Sequence, residues 1–186
     1  MAGYGTPSVL AAFEKAVEQE VELGKPGKPT KLLGMELEYI NGSVKLTQMD
    51  SIEKMIQEYG ISTLPRHSIP QEGYAQGEEM TNVTKYQSLV GSLLYINRMT
   101  RLDISLPVNL LGRRTSKPSL DNLRTAKLLG QYLASTRNQG LIIQPGKGEA
   151  KISISADASY GGKNSQSQSG SLVTLYGIPT IWGSQR

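Results

Sequence analysis

The sequence predicts an α+β fold, with helices and one antiparallel hairpin first and a run of strands last. Three observations predict this class. Apolar residues recur at helical spacing in several segments between residues 8 and 136. Asn41-Gly42 lies between two runs in which apolar and polar residues alternate, which is the strongest short signal for a β-hairpin. After Gly140 the apolar residues alternate with serines, as they do in strands with one buried face.

The first predicted element is an amphipathic helix over residues 8–23 with an acidic outer face. Ser8, directly behind Pro7, is its predicted N-cap, and Gly24 is its predicted stop. Its apolar residues are spaced by three and four positions: Leu10, Phe13, Val17 and Val21.

A β-hairpin is predicted over residues 31–47, because KLLGMELEYI and SVKLTQ alternate on either side of Asn41-Gly42. A second helix follows over residues 48–60 and ends at Gly60. The apolar face of this helix consists of Ile52, Met55, Ile56 and Tyr59. We therefore expect the hairpin to lead directly into a helix with one buried face.

A loop without sustained periodicity is predicted from Ile61 to about Asn82. Compact domains rarely carry unstructured loops this long, so we expect it to wrap over a surface or to be mobile. Three amphipathic helices follow: residues 83–99, residues 102–115 with an interruption at Pro107, and residues 119–136, capped by Ser119 or Asp121.

Four short runs after Gly140 predict strands separated by Gly, Pro and Ser clusters: LIIQ, KISISAD, SGSLVTLYG and PTIWGS. The change of period places a boundary near residue 140. Residues before it are mostly helical, and residues 140–186 form the front of a β-rich unit.

Composition excludes several kinds of chemistry. The chain has no cysteine, so disulfides, thiolate zinc sites and cysteine nucleophiles are excluded, and the single His67 does not make a histidine metal site. No run of about 18 apolar residues occurs, and the N-terminal segment is acidic, so neither a membrane span nor a secretory signal is predicted. Leu, Ile, Val and Phe make up 44 of the 186 residues, which is enough for a folded core.

The charge is distributed unevenly along the chain. The net charge of +4 combines −3 in residues 1–60, −1 in residues 61–96 and +8 in residues 97–186. A basic C-terminal half beside an acidic N-terminal half indicates a surface that faces a polyanion. Nucleic acid is the first candidate partner.

Several short motifs occur in the order found in one protein family. KLLGMEL (31–37) is similar to an "FLGI-E-I" strand, YQSLVGSLLY (86–95) to "YR-LVGSLLYL", and TRLDI (100–104) to "TRPDI". Further matches are Leu46-Thr47-Gln48, residues 126–141, and SADASY (155–160) with Ser169-Gly170 and Trp182. The chain therefore resembles the Pol polyprotein of copia-type LTR retrotransposons, where reverse transcriptase runs into ribonuclease H.

The resemblance implies three parts. Residues 1–47 would be a C-terminal palm helix with a primer-grip-like hairpin, residues 48–139 a helical thumb and connection, and residues 140–186 a truncated RNase H-like domain with the first antiparallel strands of its sheet. In the parent enzyme this region would grip the primer–template duplex. The expected partners are an RNA–DNA or DNA duplex and remaining Pol segments, with no membrane involved.

The resemblance also implies which catalytic groups are missing. The polymerase site of the family holds metal ions with carboxylates, two of them in a Tyr-x-Asp-Asp hairpin. This sequence has no Asp-Asp pair and resembles the region just downstream of that hairpin. Asp157 matches the first carboxylate of the RNase H site, and the other ligands are missing. We therefore expect Mg²⁺ in the parent enzyme, at most weak metal binding at Asp157, and no activity from this chain alone.

The helix of residues 84–99 is the most informative candidate site. Gln87, Gly91 and Tyr95 are spaced by four residues and so line one face. The resemblance implies that this face follows the minor groove of a duplex. Close approach of a groove would account for a mid-helix glycine, which costs about 1 kcal/mol relative to alanine; helix–helix packing is the alternative. The basic residues expected to contact nucleic acid are Arg98, Arg113, Arg114, Lys117, Arg124 and Lys127.

Two further interpretations concern the hairpin and the basic helices. Gly34, Met35 and Glu36 resemble a primer grip, and ordinary packing of the hairpin on a helix is the alternative. Arg101 and Asp103 are predicted to be structural partners of each other.

Two other interpretations of the whole chain stay open. It is either a domesticated or relic non-catalytic module that binds nucleic acid or protein, or a non-functional translated remnant. An intracellular location is expected, in a cytoplasmic particle or the nucleus.

Overall fold

The computed structural model describes residues 5–21, 27–75, 77–145, 151–161 and 167–185. The helices are α1 (Pro7–Glu18), α2 (Met49–Tyr59), α3 (Val83–Met99), α4 (Ser105–Gly112) and α5 (Leu120–Ser135), with a 3-10 turn at Leu102–Ile104 before α4. The strands are β1 (Lys31–Leu32), β2 (Met35–Ile40), β3 (Ser43–Thr47), β4 (Leu141–Ile143), β5 (Ile152–Ser159), β6 (Gln168–Leu175) and β7 (Ile178–Gln185). The predicted α+β class is confirmed.

The first sheet is antiparallel, in the order β1-β2-β3-β4. Asn41 and Gly42 turn β2 into β3 with φ values of 48° and 80°, as a two-residue hairpin turn requires. Leu33 and Gly34 turn β1 into β2 in the same way, with φ values of 49° and 76°. The predicted hairpin is therefore confirmed, and a short strand extends it on one side.

The prediction that the strand after Gly140 belongs to the same unit as the strands that follow it is wrong. β4 instead pairs with β3, with Leu141 opposite Leu46. Gly140 makes the approach possible, because a Cβ at this position would collide with the Leu46 carbonyl oxygen. The alternating pattern after residue 140 predicts strands, but the pattern does not specify which sheet each strand joins.

The main core lies between α2, α3, α4 and α5. The four apolar residues predicted for α2 are all buried, and Gly60 ends α2 in the left-handed conformation with a φ of 58°. In α3, Tyr86, Leu89 and Leu93 are fully buried, whereas Leu94 is 37% exposed. The Tyr86 hydroxyl donates to the Leu111 carbonyl at 2.7 Å, which links α3 to α4.

The structure shows how α1, α4 and α5 begin, and the start of α1 differs from the prediction. Thr6 is the N-cap of α1 and Pro7 its first residue, so the prediction of Ser8 was wrong; proline is favoured there because its missing N–H has no helical acceptor. α1 ends at Glu18, so the prediction that it continues to residue 23 was wrong; Gly24 itself lies outside the described residues. Pro107 lies in the first turn of α4, after the 3-10 turn. Ser119 caps α5 in a reciprocal capping box with Asn122.

Residues 61–82, apart from Gln76, follow the surface of α5. The Asn122 amide donates to the carbonyls of Gly73 and Ala75 at 2.7 and 2.9 Å. The Thr125 hydroxyl donates to the Glu72 carbonyl at 3.1 Å, and the Gln131 amide donates to the Leu64 carbonyl at 2.8 Å. Of the two predicted behaviours, the loop shows the first, since it wraps over a surface.

The second sheet is antiparallel, in the order β5-β6-β7. One of its faces packs on the helical core through β7 and α4. Trp182 in β7 donates its indole N–H to the Asn97 carbonyl at the end of α3, at 3.0 Å. No helix in the described part of the chain is both long enough and apolar enough to cross a membrane.

Candidate nucleic-acid interface

The exposed face of α3 carries Gln87, Gly91 and Tyr95, as the spacing predicts. Gly91 is exposed, and apart from its chain neighbours and the backbone of its own helix, a Cβ built on it would have no described heavy atom within 4 Å. It borders an open depression of about 520 Å³ between α2 and α3, beside Lys54 and Ser88. Packing among the described residues therefore does not require a glycine here, although glycine weakens a helix.

Tyr95 connects this face to the hairpin. Its hydroxyl donates to the Leu33 carbonyl at 2.7 Å. A Cβ on the neighbouring Gly34 would collide with the same hydroxyl, and the φ of 76° at Gly34 also disfavours other residues. The α3 face and the β1–β2 turn, which are far apart in the sequence, are therefore in direct contact.

The other two primer-grip-like residues are part of the framework. Met35 is 7% exposed. The Glu36 carboxylate accepts hydrogen bonds from the backbone N–H groups of Met49 and Asp50 at 2.8 and 3.3 Å, and from the Thr47 hydroxyl at 3.3 Å. A carboxylate at a helix N-terminus satisfies free N–H groups and interacts favourably with the helix dipole. Glu36 therefore fixes the start of α2 to the hairpin.

Gln87 lies at the opposite end of the α3 face from Tyr95. Its side-chain amide donates to the Thr115 carbonyl at 2.9 Å, in the segment that follows α4. Both ends of the face are therefore tied to neighbouring backbone, while Gly91 lies open between them.

Two arginines of the predicted basic cluster hold parts of the protein together. The Arg113 guanidinium donates to the Gln168 side chain of β6. Arg114 donates from Nε to the Tyr74 carbonyl at 3.0 Å, in the loop of residues 61–82. Both side chains are half-buried. Their contact with nucleic acid stays a prediction.

The remaining basic residues are dispersed. Lys117 pairs with Glu79 at 3.6 Å, and both side chains are mostly exposed. Arg98 borders a cavity of about 500 Å³ beside the β6–β7 turn. Arg124 and Lys127, on α5, border a separate cavity of about 370 Å³. The structure does not gather the six predicted basic residues into one patch.

Arg101 and Asp103 form a structural pair, as predicted from the sequence; the arginine is buried and the aspartate reaches the surface. Arg101 is 1% exposed and donates to both oxygens of Asp103, at 2.9 and 2.8 Å, and to the Thr136 carbonyl at 3.0 Å. The Tyr132 hydroxyl also donates to Asp103, at 2.8 Å. Burial tends to raise the pKa of Asp103, but the hydrogen bonds and charge of Arg101 outweigh it and hold the pKa below its ordinary value.

Asp157 lies exposed on β5, opposite Gly170, and accepts a hydrogen bond from the Ala158 N–H at 2.9 Å. With Asp103 it borders a cavity of about 490 Å³ between the second sheet and the start of α4. No three acidic, histidine or cysteine side chains converge in the described ranges. The donors present do not fit a two-metal site, and the expected weak metal binding at Asp157 stays a prediction.

Comparisons with known proteins relate the chain to retrotransposons. It is 32% identical to a transposon Ty5-1 protein of Saccharomyces cerevisiae over 97% of this chain and 61% of that protein. It is 29% identical to the retrovirus-related Pol polyprotein from transposon RE1 of Arabidopsis thaliana over 83% of this chain. The chain is a relative of copia- and Ty-type retrotransposon Pol polyproteins. The Pol-related chain also matches secreted RxLR effector protein 161 of Plasmopara viticola, with 33% identity over 58% of this chain and 75% of that protein.

The Pol-related chain spans only part of these relatives. It covers 61% of the Ty5-1 protein and 11% of the RE1 polyprotein. No protein-family model matches the chain. No solved structure matches it significantly either.

Sequence reasoning missed two residues that shape this surface in the Pol-related chain. Lys54 borders the depression at Gly91. The helical period places Lys54 on the outer side of α2, but it does not indicate that this side adjoins α3. Gln48 is fully buried and accepts a hydrogen bond from the Thr100 hydroxyl at 2.7 Å, which ties the start of α2 to the end of α3. Gln48 belongs to the Leu46-Thr47-Gln48 motif, but no pattern in the neighbouring residues predicts its contact with Thr100.

Proposed function

We propose that this fragment of a Pol polyprotein holds a nucleic-acid duplex on the open face of α3 and the adjoining β1–β2 turn, without performing the chemistry. The observation that carries the proposal is Gly91. A glycine in the middle of a 17-residue helix, with open space around it, gains nothing from packing within the described residues. Close approach of a sugar-phosphate groove from outside gives the glycine a function.

The geometry around Gly91 suits a rigid contact surface. Gln87 and Tyr95 lie about 12 Å apart along the helix axis, at 1.5 Å per residue. Each is anchored by a hydrogen bond to neighbouring backbone, to Thr115 and to Leu33. A surface that is already ordered loses less conformational entropy when it binds.

Positive charge near this surface supports binding to phosphates. Lys54 borders the depression at Gly91, together with Glu58. Arg98 lies one turn beyond Tyr95. Lys117, two residues after Thr115, also pairs with Glu79 at 3.6 Å. If these three side chains each neutralise one phosphate, the logarithm of the affinity falls with the logarithm of the salt concentration with a slope of about −3. Binding of this kind does not depend on base sequence.

The test is a matched pair of glycine substitutions. Gly91→Leu adds bulk on the proposed surface, and Gly112→Leu adds the same bulk on α4, where a Cβ also has no heavy atom within 4 Å. We expect Gly91→Leu to weaken binding to an RNA–DNA or DNA duplex about tenfold or more with nearly the same salt slope. Gly112→Leu should keep the wild-type affinity.

Thermal melting of the same samples separates binding from folding. Because Gly91 is open, Gly91→Leu should not lower the melting temperature, and its better helix propensity should raise it slightly. Unchanged duplex affinity in folded Gly91→Leu protein would contradict the proposal. An equal loss of affinity in both variants would also contradict it.

The second candidate function is a non-catalytic binding module used outside a polymerase. One observation favours it: the chain matches three quarters of a protein named as a secreted effector. In that case the partner need not be a duplex. A purified chain that is folded but does not bind any duplex at low salt would favour this alternative.

A further inference from the structure

A cavity of about 620 Å³ lies between α5 and the loop of residues 61–82. Its walls are residues 66 and 68–73 of the loop and four residues of α5: Asp121, Arg124, Thr125 and Leu128. Pockets that bind small molecules usually measure about 300 to 1,000 Å³. Every wall residue lies between positions 66 and 128, so the cavity is formed inside the chain and neither terminus contributes to it.

Hydrogen bonds to α5 fix the loop at both ends of this cavity. The Arg66 backbone N–H donates to the Ser135 hydroxyl at 2.8 Å, and the Asn122 side-chain amide donates to the Gly73 carbonyl at 2.7 Å. The walls are therefore ordered before any ligand arrives. A site with ordered walls loses less conformational entropy when it binds.

Two arginines line the cavity without an acidic partner in the described part of the chain. Neither Arg66 nor Arg124 forms an ion pair there, although Glu72 and Asp121 line the same cavity. Arg66 is half-buried, and its Nε is shielded from solvent without any described acceptor. Burying an unpaired donor of a charged group is unfavourable, so an oxyanion in the cavity would stabilise this arrangement.

The side chains of the cavity indicate a phosphate group on a molecule that also carries hydroxyls. Guanidinium groups match phosphate oxygens with two parallel N–H bonds. The carboxylates of the cavity repel a bare anion, but carboxylates accept hydrogen bonds from hydroxyls, as they do from ribose in nucleotide sites. Ile69, Pro70 and Leu128 add apolar surface to the wall.

We propose that this cavity binds a phosphate monoester that carries hydroxyl groups, the chemistry shared by ribonucleotides and sugar phosphates. Arg66 and Arg124 bind the phosphate, and Glu72 and Asp121 accept hydrogen bonds from the hydroxyls. The cavity shares no residue with the depression at Gly91, so it is a site separate from the proposed duplex surface.

Calorimetric titration of the full chain tests the ligand class, with three probes: adenosine monophosphate, the ribose monophosphate that lacks its base, and inorganic phosphate. We expect one organic phosphate bound per chain, and inorganic phosphate should bind about tenfold or more weakly. Tighter binding of the nucleotide than of ribose monophosphate identifies a ribonucleotide site, and equal or weaker binding identifies a sugar phosphate site. No binding at millimolar concentration overturns the proposal, as does equal binding of inorganic phosphate.

A further probe tests the hydroxyl contacts. The dideoxy analogue of adenosine monophosphate lacks both free ribose hydroxyls, so it should bind more weakly than its parent. Equal affinity of the two nucleotides overturns the assignment of the carboxylates as hydroxyl acceptors.

Arginine substitutions test the phosphate contacts. Arg66→Met and Arg124→Met should each weaken binding about tenfold or more, because each removes a guanidinium from the phosphate. Arg137→Met is the matched control, since Arg137 lies outside the cavity and pairs with Glu53, and it should keep the wild-type affinity.

Thermal melting of the same samples separates binding from folding. Arg124 is exposed and its side chain has no described hydrogen-bond partner, so Arg124→Met should melt at the wild-type temperature. Wild-type affinity in folded Arg66→Met or Arg124→Met protein overturns the proposal. An equal loss of affinity in Arg137→Met also overturns it.

Discussion

Replacing Arg101 with methionine should destabilise the fold far more than replacing any exposed arginine. Methionine keeps most of the apolar volume of the side chain but removes every hydrogen bond of the guanidinium. Those bonds join the segment after α3 to Asp103 and to Thr136 at the end of α5. The variant therefore tests whether this pair fixes the junction between α3, α4 and α5.

The size of the effect follows from burial. The Arg101 side chain is 2% exposed, and removing one partner of a buried pair costs about 3 to 5 kcal/mol. Asp103 is 34% exposed, so water can hydrate part of the unpaired carboxylate, and we expect the lower end of this range, about 3 kcal/mol. For a chain of this length that corresponds to a fall in melting temperature of about 6 to 12 °C.

The assay is thermal unfolding at neutral pH, with Arg137→Met as the control. Arg137 pairs with Glu53 at 3.8 Å, and both side chains are about half exposed, so its loss should change the melting temperature by less than about 2 °C. Equal shifts in the two variants would contradict the structural role of the Arg101–Asp103 pair.

Acid titration of stability adds a second measurement. The pKa of Asp103 is lowered in the folded state, so its ionised form contributes stability above the ordinary aspartate pKa of 3.8. This contribution is lost as the pH falls through the lower, folded-state pKa. Removing Arg101 should flatten that part of the curve, and an unchanged acid transition would contradict the assignment.

Two further predictions concern the first sheet and its contact with α2. Gly140→Ala should destabilise the chain strongly and free β4 from β3, because the added Cβ meets the Leu46 carbonyl. Gly112→Ala is the control and should be neutral or stabilising. Thermal melting measures the stability of both variants, and hydrogen exchange shows whether β4 is released. Glu36→Ala should cost about 1 kcal/mol by removing the acceptor at the start of α2, whereas Glu38→Ala, on the same strand, should cost little; equal effects in urea unfolding would contradict this role of Glu36.

The elements that the sequence predicts well are those specified by local chemistry. Asn41-Gly42 defines a hairpin turn wherever it occurs between alternating runs. The period of α2 and its stop at Gly60 depend only on neighbouring residues, and the structure agrees with both. The spacing of Gln87, Gly91 and Tyr95 likewise predicts one helix face, and the structure shows all three exposed on it.

The features that the sequence does not predict depend on distant contacts. β4 joins β3 across nearly a hundred residues, and its alternating pattern is compatible with either sheet. Tyr95 bonds to the carbonyl of Leu33, and Arg114 to that of Tyr74. Backbone carbonyls are present at every residue, so no sequence pattern identifies which one accepts.

The path of residues 61–82 is encoded largely outside that segment. Asn122, Thr125 and Gln131 on α5 supply the donors, and the loop supplies main-chain carbonyls. A substitution within the loop leaves these acceptors in place, whereas a substitution on α5 removes a donor. Ile61, Ile69, Tyr74 and Met80 pack in or against the core, and a Cβ on Gly73 would collide with Thr125. At its other positions the loop can accumulate side-chain changes without losing its course, while the same number of changes on one face of α5 would release it. Variation in this part of the chain should thus concentrate in the loop and spare the helix beneath it.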